Sequence, residues 1–261
     1  MPGSEKWLVP IRRTADPRLT LLCFSYAGGS PELFRRWPEG IAADVDILAL
    51  CLPGHGRRLK EELYRDWEPL TRDVLAAVSP LLGLPHALYG HSFGGRLAYE
   101  VALLARTAYP GRTVGLFVSG CRAPDQPQAR PYLHELDEGG FGEALGGMGG
   151  TPAEFLADAA LRKLLLPVIQ AEIRLAELWD GDGRRGPIAA PVTALHGRDD
   201  RVDPLPAMRG WPGFGGAGSE LLTLPGGHFF PETHREPLLA AINARLPWSP
   251  GSDAGNRPSR S

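Results

Sequence analysis

Six short runs of apolar, β-branched and aromatic residues are spaced along the chain: Leu19–Ser25, Val45–Leu50, His86–Tyr89, Val114–Ser119, Val192–His196 and Leu221–Leu224. Most lack the polar–apolar alternation of a half-exposed strand, which predicts strands covered on both faces. Between them the period changes to that of a helix. Leu70–Leu82 sets Leu70, Val74, Ala77, Val78 and Leu81 on one stripe, and Gly94–Arg106 runs into a stop at Pro110-Gly111. Strands alternating with helices predict an α/β domain with a mostly parallel sheet and right-handed crossovers.

From about Arg122 to Arg185 the rhythm breaks and no strand candidate occurs. Thr151-Pro152-Ala153-Glu154 reads as a helix start, with Thr at the N-cap, Pro at the first helical position and Glu three residues after the cap. That helix is expected to run towards Leu166 and to stop or kink at Pro167. A second amphipathic helix follows, with Ile169, Ile173 and Ala176 on one face and Leu178 or Trp179 continuing it. The predicted division is a core of residues 1–121 and 186–248, a helical lid inserted at 122–185, and a disordered tail at 249–261. The glycine-rich stretch Gly139–Gly150 is expected to let the lid move.

Composition narrows the class. The chain has 261 residues, which suits one domain carrying an insertion, and its net charge of −2 gives no reason to expect nucleic acid or an anionic membrane as partner. No run approaches the roughly 18 apolar residues that span a bilayer, and the opening MPGSEKWLVPIRR lacks the apolar stretch of a signal peptide. Cys23, Cys51 and Cys121 are odd in number and far apart, so buried reduced thiols in a cytoplasmic protein are expected.

The chemistry is carried by Gly90-His91-Ser92-Phe93-Gly94, a G-x-S-x-G pattern between a strand-like run and a helix-like run. A serine on a sharp strand-to-helix turn needs small neighbours, because its backbone is strained and its side chain must stand clear of the sheet. Its hydroxyl needs a histidine base and an acid to orient that base, in the chain order Ser, Asp, His. The acid is expected after Val192–His196, where Asp199, Asp200 and Asp203 share a loop; Asp200, three residues past Gly197, is preferred. The base is expected after Leu221–Leu224, at His228 beyond a Gly-Gly turn. His55 sits in a loop that could line the site, His91 is too close to Ser92 to act as its base, and His86, His134, His196 and His234 read as surface or satisfied core residues. No histidine pair has the spacing of a metal site, and neither metal nor cofactor is expected. Oxyanion donors are expected at the backbone N–H of Phe93 and, in the Ala27-Gly28-Gly29 loop after the first run, of Ala27, with Tyr26 beside the pocket.

These residues resemble a known family. FSYAGGS, LPGHGRRL, LYGHSFGGRLAYE, VSGCRAP, GGTP, LLPVIQAEI and LPGGHFF together are similar to the type II thioesterases of polyketide and nonribosomal peptide assembly lines, from about Trp7 to Trp248. The resemblance implies an α/β-hydrolase fold and hydrolysis of acyl groups from the phosphopantetheine thiol of acyl- or peptidyl-carrier proteins. Ser92, Asp200 and His228 match the family's catalytic residues, and Ala27 and Phe93 its oxyanion donors. The implied partners are a carrier protein and its synthase, with the chain acting as a free-standing monomer; Arg57, Arg58 and Arg201 fall in loops where an acidic carrier could dock. The same triad also serves a general carboxylesterase, an acyltransferase or a cyclase. Two departures from the family pattern bear on specificity: Pro53-Gly54-His55 stands where Pro-Gly-Arg is usual, and Gln170-Ala171-Glu172 where Arg-Ala-Asp is usual.

Overall fold

Along β2 (Leu19–Phe24), Leu22 and Phe24 pack into one apolar core while Leu19, Leu21 and Cys23 pack into another. Successive strand residues point to opposite faces, so a strand buried on both sides shows no alternation in its sequence. The computed structural model describes residues 6–149, 158–180 and 186–247. Among them β1 (Leu8–Arg12), β2, β3 (Val45–Leu50), β4 (His86–His91), β5 (Thr113–Ser119), β6 (Val192–Gly197) and β7 (Glu220–Leu224) form one sheet in the order β1-β3-β2-β4-β5-β6-β7. All neighbours are parallel except β1, which runs antiparallel to β3 at the edge.

α1 (Trp67–Leu82) and α2 (Phe93–Ala108) cover one face, and α5 (Arg235–Asn243) covers the other together with Phe34 and Trp37. β4 lies in the middle, with three strands on either side. The parallel strands therefore deliver the loops after β2, β4, β6 and β7 to one end of the sheet, the end where sites of such folds form. The three cysteines are buried and free. Among the described residues no helix is long and apolar enough to cross a membrane.

Four elements differ from the sequence reading. β1 was not expected, because Pro10 interrupts its apolar run; an edge strand tolerates a missing N–H, and the pairing shifts register between Pro10 and Arg12. α1 begins at Trp67 rather than Leu70, since Pro69 falls in the first turn, where an N–H has no helical partner anyway. Ala159–Leu178 is one continuous helix, α4, with Pro167 inside it instead of a break. Pro167 sits on the exposed side, so the carbonyl it leaves unpaired is open to water. Asp158 caps this helix, accepting the N–H groups of Ala160 at 2.8 Å and Leu161 at 3.0 Å; the expected start at Thr151–Glu154 lies outside the described residues.

Finally, most of the glycine-rich stretch is helical: α3 (Glu138–Met148), which precedes α4 between β5 and β6. Each internal glycine costs about 1 kcal/mol relative to alanine. Packing supplies what propensity lacks: Asp137 caps the Gly140 N–H at 2.8 Å, and Phe141 and Leu145 are buried against Leu166 and Ile173 of α4.

Candidate active site

β4 ends at His91 and α2 begins at Phe93, so a single residue, Ser92, makes the turn from strand to helix. Its φ of 54° and ψ of −116° place it in the left-handed half of backbone space, and among the described residues it is the one non-glycine there. Such strain persists only where the surroundings over-determine it. Here the Ser92 N–H is held by the Ser119 carbonyl at 2.8 Å, and the Ser92 carbonyl accepts the Gly95 N–H at 3.0 Å.

Two loops away, His228 Nδ1 meets Asp200 Oδ2 at 2.9 Å, with both residues buried. Asp200 Oδ1 accepts the N–H groups of Val202 at 2.8 Å and Asp203 at 3.1 Å, so its carboxylate is fixed at both oxygens. Burial alone would raise this carboxyl; the His228 hydrogen bond and charge and the two N–H groups outweigh it and hold the group below its ordinary range. Of the other two acids in the loop, Asp199 is exposed and Asp203 is turned towards Arg96 Nη2 at 3.3 Å. Against the other side of His228 lies His91, ring centroids 4.9 Å apart. Burial and the neighbouring His228 and Arg96 push His91 well below the usual histidine value, so it stays neutral, its Nδ1 paired with Ser119 Oγ at 2.6 Å.

The loop after β2 turns tightly, with the Gly29 N–H on the Tyr26 carbonyl at 2.8 Å. Among the described residues, neither the Ala27 nor the Phe93 N–H is committed to a hydrogen bond. Tyr26 is anchored instead through its hydroxyl, which donates to Glu232 at 2.7 Å.

Residues 19–246 match the family model of the thioesterase domain. The chain belongs to the thioesterase family. It is 29% identical to the linear gramicidin dehydrogenase LgrE of Brevibacillus parabrevis, over 94% of each chain. Among solved structures it resembles the RedJ thioesterase from the prodiginine biosynthetic pathway in Streptomyces coelicolor, at 35% identity and a TM-score of 0.80 over 91% of each chain. It also resembles YbtT, a type II thioesterase from the yersiniabactin NRPS/PKS pathway, at 25% identity and a TM-score of 0.80 over 92% of this chain and 98% of that one. The first of these carries a dehydrogenase name; the family match and both structures agree instead on a thioesterase, a hydrolase of the α/β-hydrolase fold.

In this thioesterase Ser92, His228, Tyr26, Ala27 and Gly28 line one cavity of about 290 Å³. Much of its wall is apolar, with Leu145 and Met148 from α3 and Leu165, Ile169, Ile173 and Ala176 from α4, while Arg96 and Glu177 add charged groups. The arrangement sets a hydroxyl, an acid-anchored imidazole and the loop carrying the Ala27 N–H beside one largely apolar space. Among the described residues no group of three His, Cys, Asp or Glu side chains is arranged to hold a metal ion.

The remaining sequence candidates fall as follows. His86 bonds the Leu84 carbonyl and Thr113, His134 bonds Glu177, and His234 bonds Thr233. His196 departs from the expectation of a satisfied core residue: it is buried, and among the described residues neither ring nitrogen has a hydrogen-bond partner. Arg58 is no docking residue, being buried with its guanidinium over the Trp7 ring at 3.8 Å and bonded to Cys51 and Glu61. Arg57 and Arg201 are exposed.

Two wall residues escaped the sequence reading. Arg96 follows the elbow and looks like a solvated helix cation, yet only 2% of it is exposed. Glu177 is buried on α4, where it accepts the Leu133 N–H at 2.8 Å and pairs with His134. The one signal in sequence was an acid on an otherwise apolar helix face.

Proposed function

We propose that this thioesterase releases acyl groups from the phosphopantetheine thiol of acyl- or peptidyl-carrier proteins, clearing stalled or misprimed chains, by a Ser92–His228–Asp200 acyl-enzyme mechanism. The observation that carries the reading is the meeting, in one largely apolar cavity, of a strained, half-buried serine and a histidine whose far nitrogen is held by a buried aspartate. His228 Nε2 takes the Ser92 Oγ proton as Oγ attacks the thioester carbonyl carbon. The carbonyl π pair moves to oxygen, where the Ala27 and Phe93 N–H groups receive it. Collapse of this intermediate breaks the C–S bond, and the leaving sulfur takes the proton from His228. Water then attacks the acyl-serine, giving its proton to His228, and the second collapse returns that proton to Ser92 and frees the acid. Asp200 holds His228 in the tautomer that leaves Nε2 free to accept and stabilises the imidazolium.

The segment between β5 and β6 is proposed as a lid, since α3 and α4 supply most of the apolar wall an acyl chain would meet. Arg57 and Arg201 are proposed to face an acidic carrier protein. The reading requires no cofactor, and free buried thiols suit a reducing cytoplasm. The relatives' pathway names support a role in nonribosomal peptide or polyketide synthesis.

The test is acyl release from a loaded carrier protein against the same acyl group on free pantetheine, with Ser92→Ala alongside. Faster release from the carrier, abolished in the variant, supports the proposal. Equal rates on both would remove carrier recognition and favour a general esterase, and release surviving in Ser92→Ala would overturn the assignment of the nucleophile.

A further inference from the structure

Glu172 divides its two carboxylate oxygens between two loops of the core. Oε2 accepts the Gly28 N–H at 2.6 Å, and Oε1 meets His55 Nε2 at 2.8 Å. Both side chains of the pair are 7% exposed, so the contact is made away from water. A buried carboxylate is costly unless its oxygens are bonded, and here the two bonds go to groups from different elements. Gly28 lies in the loop that carries the Ala27 N–H. Its φ is +83°, and a methyl group there would stand 2.7 Å from Ile169 Cγ1. The loop is thus pressed against α4 over the turn from Ile169 to Glu172.

We propose that Glu172 is a positioning residue of this thioesterase: by holding the Gly28 N–H it fixes the peptide beyond Ala27, and with it the direction of the Ala27 N–H. By holding His55 it also ties that loop and α4 to the loop after β3. This rests on the reading of Ala27 as an oxyanion donor. His55 and Glu172 are also two of the three positions, with Gln170, where the sequence departs from the usual Pro-Gly-Arg and Arg-Ala-Asp, and in the fold these two are the ends of one hydrogen bond. On this proposal the shorter base at 55 and the longer acid at 172 compensate for each other across that bond.

Steady-state kinetics on a loaded carrier protein test this. A small displacement of an oxyanion donor costs about 10- to 100-fold in turnover, so Glu172→Ala is expected to lower kcat by that factor with KM within about twofold. A purely structural role would lower the active fraction and melting temperature instead, and Glu172→Ala with kcat within twofold of the parent overturns the proposal. Because the alanine variant leaves His55 and Gly28 unsatisfied, Glu172→Asp gives an independent arm. Alone it keeps the charge but cannot span both partners, and it is expected to lose most of kcat; adding His55→Arg is expected to restore at least half. Equal turnover of the single and double variants overturns the pairing. Ser92→Ala in the same assay separates the two readings: its retained activity would sink the catalytic assignment, whereas a null Ser92→Ala beside an unaffected Glu172→Ala would sink only the positioning role.

Discussion

Gly90 and Gly94 stand so close across the turn at Ser92 that a methyl group on the first would lie 2.1 Å from the carbonyl oxygen of the second. Gly94 is as confined on its other side, where a methyl group would meet the Phe24 carbonyl at 2.3 Å. These are backbone atoms of the buried start of α2 and the end of β2, and they cannot swing away. Gly94→Ala is therefore expected to destabilise the fold by about 1–3 kcal/mol or more, as overpacking does, and to displace Ser92. Urea unfolding would show it, and a variant as stable and active as the parent would contradict this account of the elbow.

The same crowding explains why the sharp turn at Ser92 is legible in the sequence. Glycines at 90 and 94 are demanded by local geometry, and local geometry leaves its mark in neighbouring residues. Asp200 and His228 were legible for a related reason, since each follows a buried strand whose apolar run is plain in the sequence. What resisted reading depends on partners far along the chain. Glu172 meets His55 across 117 residues and Gly28 across 144, and nothing beside any of the three announces the other two. Arg96 was hidden in the same way, its charge answered by Asp203 at a separation of 107. β1 and the unbroken α4 were obscured by prolines that an edge strand and an exposed helix side can each accommodate.

Asp200 is the acid that reaches His228, and its neighbours supply the controls. Asp200→Asn keeps the shape but can donate to Nδ1, favouring the wrong imidazole tautomer, and is expected to lower kcat by about 10³- to 10⁴-fold. Asp199→Asn, an exposed change, is expected to stay within a few-fold. Asp203→Asn leaves the buried Arg96 without its counter-charge, so its loss is expected in thermal stability before turnover. Similar kinetic losses in all three would mean that the loop as a whole, not the Asp200 carboxylate, supports the histidine.

Ala176 is the smallest side chain on the part of α4 that faces the cavity. Ala176→Trp would fill space that an acyl chain would otherwise occupy, while leaving the elbow and the loop at Ala27 untouched. Each methylene denied burial costs about 0.8 kcal/mol, close to fourfold in kcat/KM. Release of a long acyl group should therefore fall relative to an acetyl group by about fourfold per excluded methylene. An unchanged ratio across a chain-length series would remove this wall from substrate selection.

His55 should make the link between the loop and α4 sensitive to pH. Burial lowers its affinity for a proton, but the Glu172 charge and hydrogen bond outweigh burial and raise it above the ordinary value of 6.5. Cys51, in the same loop, brings its thiol to the His55 carbonyl at 3.6 Å. A group whose pKa rises on folding binds its proton more tightly in the folded chain, so its stabilisation is whole below pH 6.5 and is lost as pH climbs through the raised value. The melting temperature of the parent should accordingly fall, relative to that of His55→Gln, as pH is raised from about 6 to about 9. Taking the difference removes every group the two proteins share. Parallel melting curves across that range would show that the His55–Glu172 bond forms without a proton on the imidazole beyond the one it donates, and the pH sensitivity would then have to be given up.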